Sequence, residues 1–258
     1  MNLRHFPEAV VRHADGLTLD LEAEHVDGLY ADPARRASTG KRLFDPSAYS
    51  PPLDSVLALR ERVPALGVKI GPGVPHAGLP PDAETQWVSV DGDVVEAGLW
   101  FGPLAPDGPG RTALVLRGQS ARVVRDELGG AAPDVGPVGG YLYEPDGAVI
   151  RAGLVAQVAA EVGGRLIDRT IAYVTSDALH RSDAATGYRV LDTIPFGLKR
   201  LRTYLRERDI GRLTIKKRGT AVLPEELRAR LDLRGHQETT IVLTRVAGAQ
   251  HVLIVEPL

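Results

Sequence analysis

The sequence predicts an α/β protein, with a mostly parallel sheet in its first half and a compact α+β unit in its second. Three observations predict this. Short apolar strand candidates alternate with one helical segment up to about residue 70 and then follow one another directly, as when a parallel sheet ends in an antiparallel pair. Residues 105–140 are rich in Gly, Pro and Asp, with Gly129-Gly130-Ala131-Ala132-Pro133 as the clearest linker. Strands and helices then alternate over a stretch of ordinary domain length. The boundary is placed near residue 138, giving regions 1–137 and 138–258.

The elements follow in order. Ala9 to His13 is a short strand candidate, closed by Ala14-Asp15-Gly16 as a turn, and Val26 to Tyr30 is the next strand. The segment from Asp45 is loop-like, and Pro52 opens a helix over Leu53 to Arg62. Leu66 to Ile70 is a strand ended by Gly71-Pro72-Gly73, read as a backbone turn. Thr85 to Val90, Val94 to Phe101 and Arg111 to Arg117 are strands, with Asp91-Gly92 as a hairpin signal. In the second region, Ala148 to Val162 is a helix ended by Gly163-Gly164. Ile171 to Thr175 and Tyr188 to Ile194 are strands, Leu198 to Arg208 a helix, Arg212 to Lys217 a strand and Pro224 to Leu231 a helix. Thr239 to Val246 and His251 to Glu256 form a terminal hairpin. No internal repeat is visible.

Composition narrows the class. With 43% hydrophobic and 25% charged residues, a chain of 258 residues can bury a sizeable core. There is no apolar run long enough to span a bilayer and no signal segment at Met1-Asn2-Leu3-Arg4-His5, so a cytoplasmic protein without a membrane partner is expected. The absence of cysteine excludes disulfides, thiolate zinc sites and iron–sulfur clusters. His5, His13, His76 and His180 lack metal spacing, and no metal site is expected. No Gly-x-Ser-x-Gly elbow and no Walker phosphate loop is present. Residues 141–258 carry 18 Lys and Arg against 14 Asp and Glu, a net charge of +4, which leaves −6 for residues 1–140. Such asymmetry points to a nucleic-acid-facing module beside an acidic one.

Two constellations can carry chemistry. The first is Asp32-Pro33-Ala34-Arg35-Arg36, following a short apolar strand. Ligands of open α/β sheets collect at the carboxyl ends of the strands. Proline stops the ladder there, holding Asp32 at the strand tip. Arg35 and Arg36 offer planar forks suited to phosphate or carboxylate. Asp15, after the strand candidate at 9–13, is expected on the same rim as Asp32. Acids after strands also form ordinary turns. The second constellation lies between Lys199 and Arg218, where nine basic residues meet only Glu207 and Asp209. Arg202 and Arg206, four residues apart, share a helix face with Lys199 one turn below. Arg200 and Arg212 add to the charge, and Lys216-Lys217-Arg218 ends a strand at a loop where long cations can meet a polyanion. A solvated basic face explains the same pattern. Aromatics near it are few (Phe196, Tyr204), so stacking onto single-stranded bases is not strongly indicated.

Three stretches resemble one family, the bacterial class I S-adenosylmethionine-dependent methyltransferases with a C-terminal THUMP-like domain. They are Tyr30 to Arg36 with Gly40-Lys41-Arg42, Gly139 to Gly153, and Gly211 to Gly219. The resemblance covers essentially the whole chain. It implies a Rossmann-like methyltransferase sheet, here its C-terminal part without the first strands, followed by a ferredoxin-like or THUMP-like α+β domain. It implies methyl transfer from S-adenosylmethionine, with RNA (tRNA or rRNA) as the acceptor. In it Asp32, Pro33, Arg35 and Arg36 form the catalytic loop, and Asp15 and Gly16 fall where the adenine is contacted. Lys199, Arg200, Arg202, Arg206, Arg212, Lys216, Lys217 and Arg218 are then the RNA-facing cations.

The family's Gly-rich loop and ribose-binding acid have no counterpart here. The missing strands would lie between those at 9–13 and 26–30, so these two either pair directly or leave an exposed edge. Three accounts are open: a gene start placed too late, which is preferred; a catalytically inactive RNA-binding or protein-interaction remnant; and strands supplied by another chain or a swapped homodimer.

Overall fold

The computed structural model describes residues 9–35 and 45–258. Arg36 and the Gly40-Lys41-Arg42 stretch lie outside the described residues. By packing, the chain divides into two compact units, one built on residues up to Glu84 with Gly98–Pro109, the other on Thr85–Ala97 with Gly110–Leu258.

In the first unit, β1 (Leu29–Ala31) and β2 (Leu66–Ile70) run parallel with Tyr30 opposite Gly67, joined through α1 (Leu53–Leu57) and a 3₁₀ turn at Ala58–Glu61. Leu66, Val68 and Ile70 are fully buried, as a strand covered on both faces requires. Gly67 is needed there because a methyl group on it would lie 2.6 Å from the Trp100 ring and 3.0 Å from Tyr30. Gly67→Ala is therefore expected to cost about 1–3 kcal/mol, read as a lower urea midpoint.

The chain continues into β3 (Glu84–Val90) and β4 (Asp93–Trp100), joined at Asp91 and Gly92 with φ of +50° and +92°. Positive φ at both central residues is the tight hairpin turn that matches strand twist, as Asp-Gly predicts. β5 (Gly110–Arg117) and β6 (Ser120–Arg125) form an antiparallel pair.

Several expectations for the first region are corrected. Ala9 to His13 forms no strand, and Val10 and Val11 are about three-quarters exposed (76% and 75%). Two valines beside Arg12 and His13 bury too little to offset the cost of ordering the backbone. The strand expected over 26–30 is confined to Leu29–Ala31, and the helix expected over 53–62 is α-helical only to Leu57. Of the two outcomes expected for the sheet, the exposed edge is the one observed. Among the described strands β1 pairs only with β2, and Tyr30 is 59% exposed, its ring 6.1 Å from that of Trp100.

The second unit carries a seven-stranded sheet in the order β11-β12-β13-β10-β7-β9-β8. Its elements are β7 (Tyr141–Pro145), α2 (Gly147–Ala152), α3 (Val155–Glu161), β8 (Arg165–Asp168), β9 (Ile171–Ser176), β10 (Ala185–Pro195), α4 (Leu198–Glu207), β11 (Ile210–Lys217), α5 (Pro224–Leu231), β12 (Gln237–Val246) and β13 (Ala249–Pro257). The single helix expected over 148–162 is broken. Gly153 adopts φ +73°, its N–H bonds to Ile150 and that of Leu154 to Val149 at 2.9 Å. This left-handed cap ends α2, and buried Leu154 starts a new direction. β6, β7 and β8 are strands beyond those expected.

The sheet carries an apolar cluster on each face, the second formed between its own strands. Leu201 and Leu205 of α4 with Leu227 and Leu231 of α5 pack on Ile241, Leu243, Val252 and Ile254. Val242, Leu253 and Val255 face the other way, against Leu142, Tyr173 and Tyr188. This is strand alternation used on both faces. The sheet is also strongly coiled. β11 and β7 are four strands apart, roughly 19 Å in a flat sheet, yet Lys216 Nζ of β11 lies 2.9 Å from Glu144 Oε2 of β7. β8 likewise reaches the turn between β12 and β13, where the Ala247 N–H donates to the Ile167 carbonyl at 3.0 Å.

Candidate functional site

The carboxyl ends of β1 and β2 bring together four side chains. Asp32 follows β1 directly, and its Oδ2 lies 3.2 Å from Nζ of Lys69 on β2. Parallel register makes this meeting unavoidable: Ala31 pairs with Val68, so the next residues of both strands stand side by side. Asp32 keeps 52% of its side chain in solvent and Lys69 27%, so the carboxylate faces outward while its partner is largely enclosed. Pro33 follows, and Ala34 is held by two hydrogen bonds to Ser50, at 2.8 and 3.1 Å. Arg35 then turns back across the sheet end, its Nη1 donating to the Ile70 carbonyl at 3.5 Å.

The same strand ends are braced from below. Buried Tyr49 accepts the Gly71 N–H on its hydroxyl at 3.4 Å. A methyl group on Gly71 would approach that hydroxyl to 3.2 Å and Arg35 Nη1 to 3.3 Å, so the turn at 71–73 and the loop at 32–35 share one small space. The arrangement offers an outward carboxylate paired with a cation, and a guanidinium at the end of β2. A carboxylate so placed can accept a hydrogen bond from an amine or hydroxyl, and the guanidinium can meet an anion. Lys69 and Tyr49 escaped sequence reasoning. The available signal for Lys69 was a lone cation inside the apolar run Leu66-Gly67-Val68-Lys69-Ile70.

Asp15 does not share this rim through a strand end, because residues 9–13 form no strand. Its carboxylate accepts the Leu17 N–H at 3.0 Å, and its carbonyl accepts from Thr18 at 3.1 Å, so it closes a turn. Gly16 has open space around its Cα. Among the described residues no group of three or more His, Cys, Asp or Glu could hold a metal ion, and no helix is long and apolar enough to cross a membrane.

The basic residues of the second unit separate into distinct settings. Arg202 Nη2 donates to the Arg230 carbonyl, and Arg206 Nη2 to the Asp232 carbonyl at 3.2 Å. Both therefore close the carbonyl end of α5, where cations are favoured. Arg212 pairs with Glu238 at 3.2 Å, and Lys217 donates to the Val222 carbonyl at 3.1 Å. Lys216 and Arg218 converge on Glu144, at 2.9 and 3.6 Å, beside the rings of Tyr188 and Tyr173. Burial works to lower the Lys216 pKa, but hydrogen bonds with Tyr188 and Glu144 and the Glu144 charge outweigh it, so the ammonium titrates above its ordinary value. This cluster joins the second and third of the motif stretches, Gly139 to Gly153 and Gly211 to Gly219, in direct contact. Lys199 and Arg200 are exposed and make no ion pair among the described residues.

Residues 185–257 match the family described as THUMP domain-like. Over 223 residues the chain is 38% identical to an uncharacterized S-adenosylmethionine-dependent methyltransferase of Mycobacterium tuberculosis (strain CDC 1551 / Oshkosh). The same holds for its counterpart in strain ATCC 25618 / H37Rv. The match covers 84% of this chain and 60% of each relative, so the chain spans about three-fifths of the length of the curated relatives it matches. The fold is similar to the crystal structure of a "putative methyltransferase" from Porphyromonas gingivalis W83, with a TM-score of 0.73, 22% identity, and 91% of this chain and 60% of that one covered. The resemblance drawn from the motifs is thus supported, as is the α/β fold followed by a THUMP-like unit.

Proposed function

We propose that this chain supplies the acceptor side of an S-adenosylmethionine-dependent methyl transfer to RNA. Residues 1–137 are in this reading part of the methyltransferase domain, and 138–258 a THUMP-like unit that holds the RNA. The observation that carries it is the outward carboxylate of Asp32 at the end of parallel β1, backed by Lys69 at 3.2 Å. Asp32 accepts a hydrogen bond from the amine or hydroxyl that receives the methyl group, and Pro33 fixes the backbone that presents it. Arg35, with Arg36 next in sequence, meets the phosphate of the incoming strand. Lys69 orients Asp32 and is a positioning residue. Methyl transfer is an in-line displacement, so holding the acceptor correctly is worth up to about 7–11 kcal/mol.

The residues described here do not form a complete cradle for the cofactor. Asp15 and Gly16 lie in an exposed turn whose carboxylate is already engaged by Leu17, and the sequence contains no Gly-rich loop for the methionine moiety. What the strand ends offer belongs to the acceptor.

Calorimetry tests the cofactor part of this reading. S-adenosylmethionine titrated into the 258-residue chain is expected to give weak, saturable heat. No detectable heat at millimolar cofactor removes cofactor binding from this chain. The RNA part has its own readout: tRNA or rRNA fragments are expected to bind with a steep salt dependence, and salt-independent binding counts against it.

A further inference from the structure

The most open combination of cations and aromatic rings in the second unit lies along α4. A groove of about 810 Å³ runs beside its first turns, lined by Phe196, Leu198, Lys199, Arg200 and Tyr204, with the single carboxylate of Glu207 at its far end. The groove is open along its length, as suits a strand laid across a surface. Lys199 and Arg200 stand exposed at its rim with no ion pair among the described residues, whereas the other cations of the expected patch each have an internal partner. A cation engaged by a carboxylate or a carbonyl must give up that contact to neutralise a phosphate. Lys199 and Arg200 give up only water.

The ring of Tyr204 forms the far wall. The Arg208 guanidinium lies flat on it, Cζ 3.6 Å from the ring centroid, while Nη1 donates to the Tyr204 carbonyl at 3.2 Å. Half of the Arg208 side chain (49%) remains exposed, with Glu207 Oε2 3.9 Å from its Nη1, so the stacked pair presents a partly neutralised face to solvent. Such a face accepts a nucleobase without regard to its identity. In a duplex the bases are stacked on each other and unavailable, so this surface suits an unpaired strand.

We propose that the α4 groove binds an unpaired segment of RNA, a base stacking at the Tyr204–Arg208 pair and Lys199 and Arg200 neutralising the flanking phosphates. The proposal rests on the RNA reading above and assigns it a surface other than the Lys216-Lys217-Arg218 loop.

Fluorescence anisotropy with an unstructured oligoribonucleotide of about 10 nucleotides, within the footprint of one single-strand-binding module, tests it against a duplex of the same sequence. The full 258-residue chain is expected to prefer the single strand. Replacing Lys199 and Arg200 together by alanine is expected to flatten the slope of log affinity against log salt by about 1.4, two phosphates at about 0.7 each. Tyr204→Leu keeps the apolar contact with the core but loses the ring, and Arg208→Lys keeps the charge but loses the plane. Each is expected to weaken binding roughly 5- to 150-fold, the loss of one stacked base. If the chain binds RNA and all three variants match it in affinity and slope, the groove is not the surface, and RNA binding itself stands. A preference for the duplex also overturns the proposal. If the chain binds no RNA at all, the groove proposal and the RNA reading fall together.

Discussion

On the proposed function, Asp32→Ala is expected to slow methyl transfer to RNA by roughly two to four orders of magnitude, the usual worth of one positioned proton-accepting side chain. The expectation follows from geometry: of the described side chains gathered where β1 and β2 end, only Asp32 is a carboxylate that faces outward. The protein's fold should hardly notice the change. With half of Asp32 in solvent, its pair with Lys69 is a surface ion pair of the kind that contributes at most about 1 kcal/mol. Rate and stability therefore separate, and the urea midpoint of the variant serves as the control. Single-turnover transfer of labelled methyl groups from S-adenosylmethionine is the measurement. Asp32→Asn keeps one acceptor oxygen and should fall between the wild type and Asp32→Ala. Lys69→Met should act less strongly, because it removes only what orients the carboxylate. An Asp32→Ala variant as fast as the wild type would remove this loop from the chemistry.

Where the sequence was legible, a local rule and a global requirement agreed. Pro224 at the first helical turn, Glu225 and Glu226 after it and Arg228 and Arg230 in the last turn all favour α5 as it is found, Pro224–Leu231. Asp91-Gly92 fits only a hairpin, and a hairpin is present. The position of Asp32 at a strand end was likewise legible, because an apolar run followed by Asp-Pro has to stop. The failures arise where partners far apart in sequence decide the outcome. Ala9 to His13 has strand-like composition and no strand to pair with among the described residues. Helical spacing places Arg202 and Arg206 on one face, but no local pattern says that this face meets the carbonyl end of α5. Glu144 attracted no attention as a charge. Its importance to Lys216 and Arg218 comes from a coiled sheet that carries β11 back toward β7, which sequence periodicity cannot report.

That coiling also identifies the residue on which the second unit should depend most heavily. Asp168, at the end of β8, is 4% exposed. Its Oδ1 accepts the Thr170 N–H at 2.9 Å and the Thr170 hydroxyl at 2.7 Å, and its Oδ2 accepts the Gly248 N–H at 2.7 Å. It therefore ties the last strand of the sheet to the turn between β12 and β13. Asp168→Ala leaves two backbone N–H groups without an acceptor, each at about 1–3 kcal/mol, so a loss of about 4 kcal/mol is expected. The effect also carries a pH signature. Burial works to raise the Asp168 pKa, but the hydrogen bonds from Thr170 and Gly248, with the charge of Arg245, outweigh it and hold the carboxyl below its ordinary value. A carboxyl whose pKa is lowered on folding contributes stability that is complete above its unfolded value of about 3.9. That contribution is lost as the pH falls through the lower folded value. Acid should therefore loosen this joint below about pH 4, and Asp168→Asn should flatten the dependence there while leaving it unchanged near neutrality. Hydrogen exchange at the Gly248 amide is the direct readout: it should accelerate strongly in Asp168→Ala and, in the wild type, only as the solution is taken below that pH. An amide at Gly248 equally protected in both proteins would mean that the turn is held by the Ala247–Ile167 bond without help from the carboxylate.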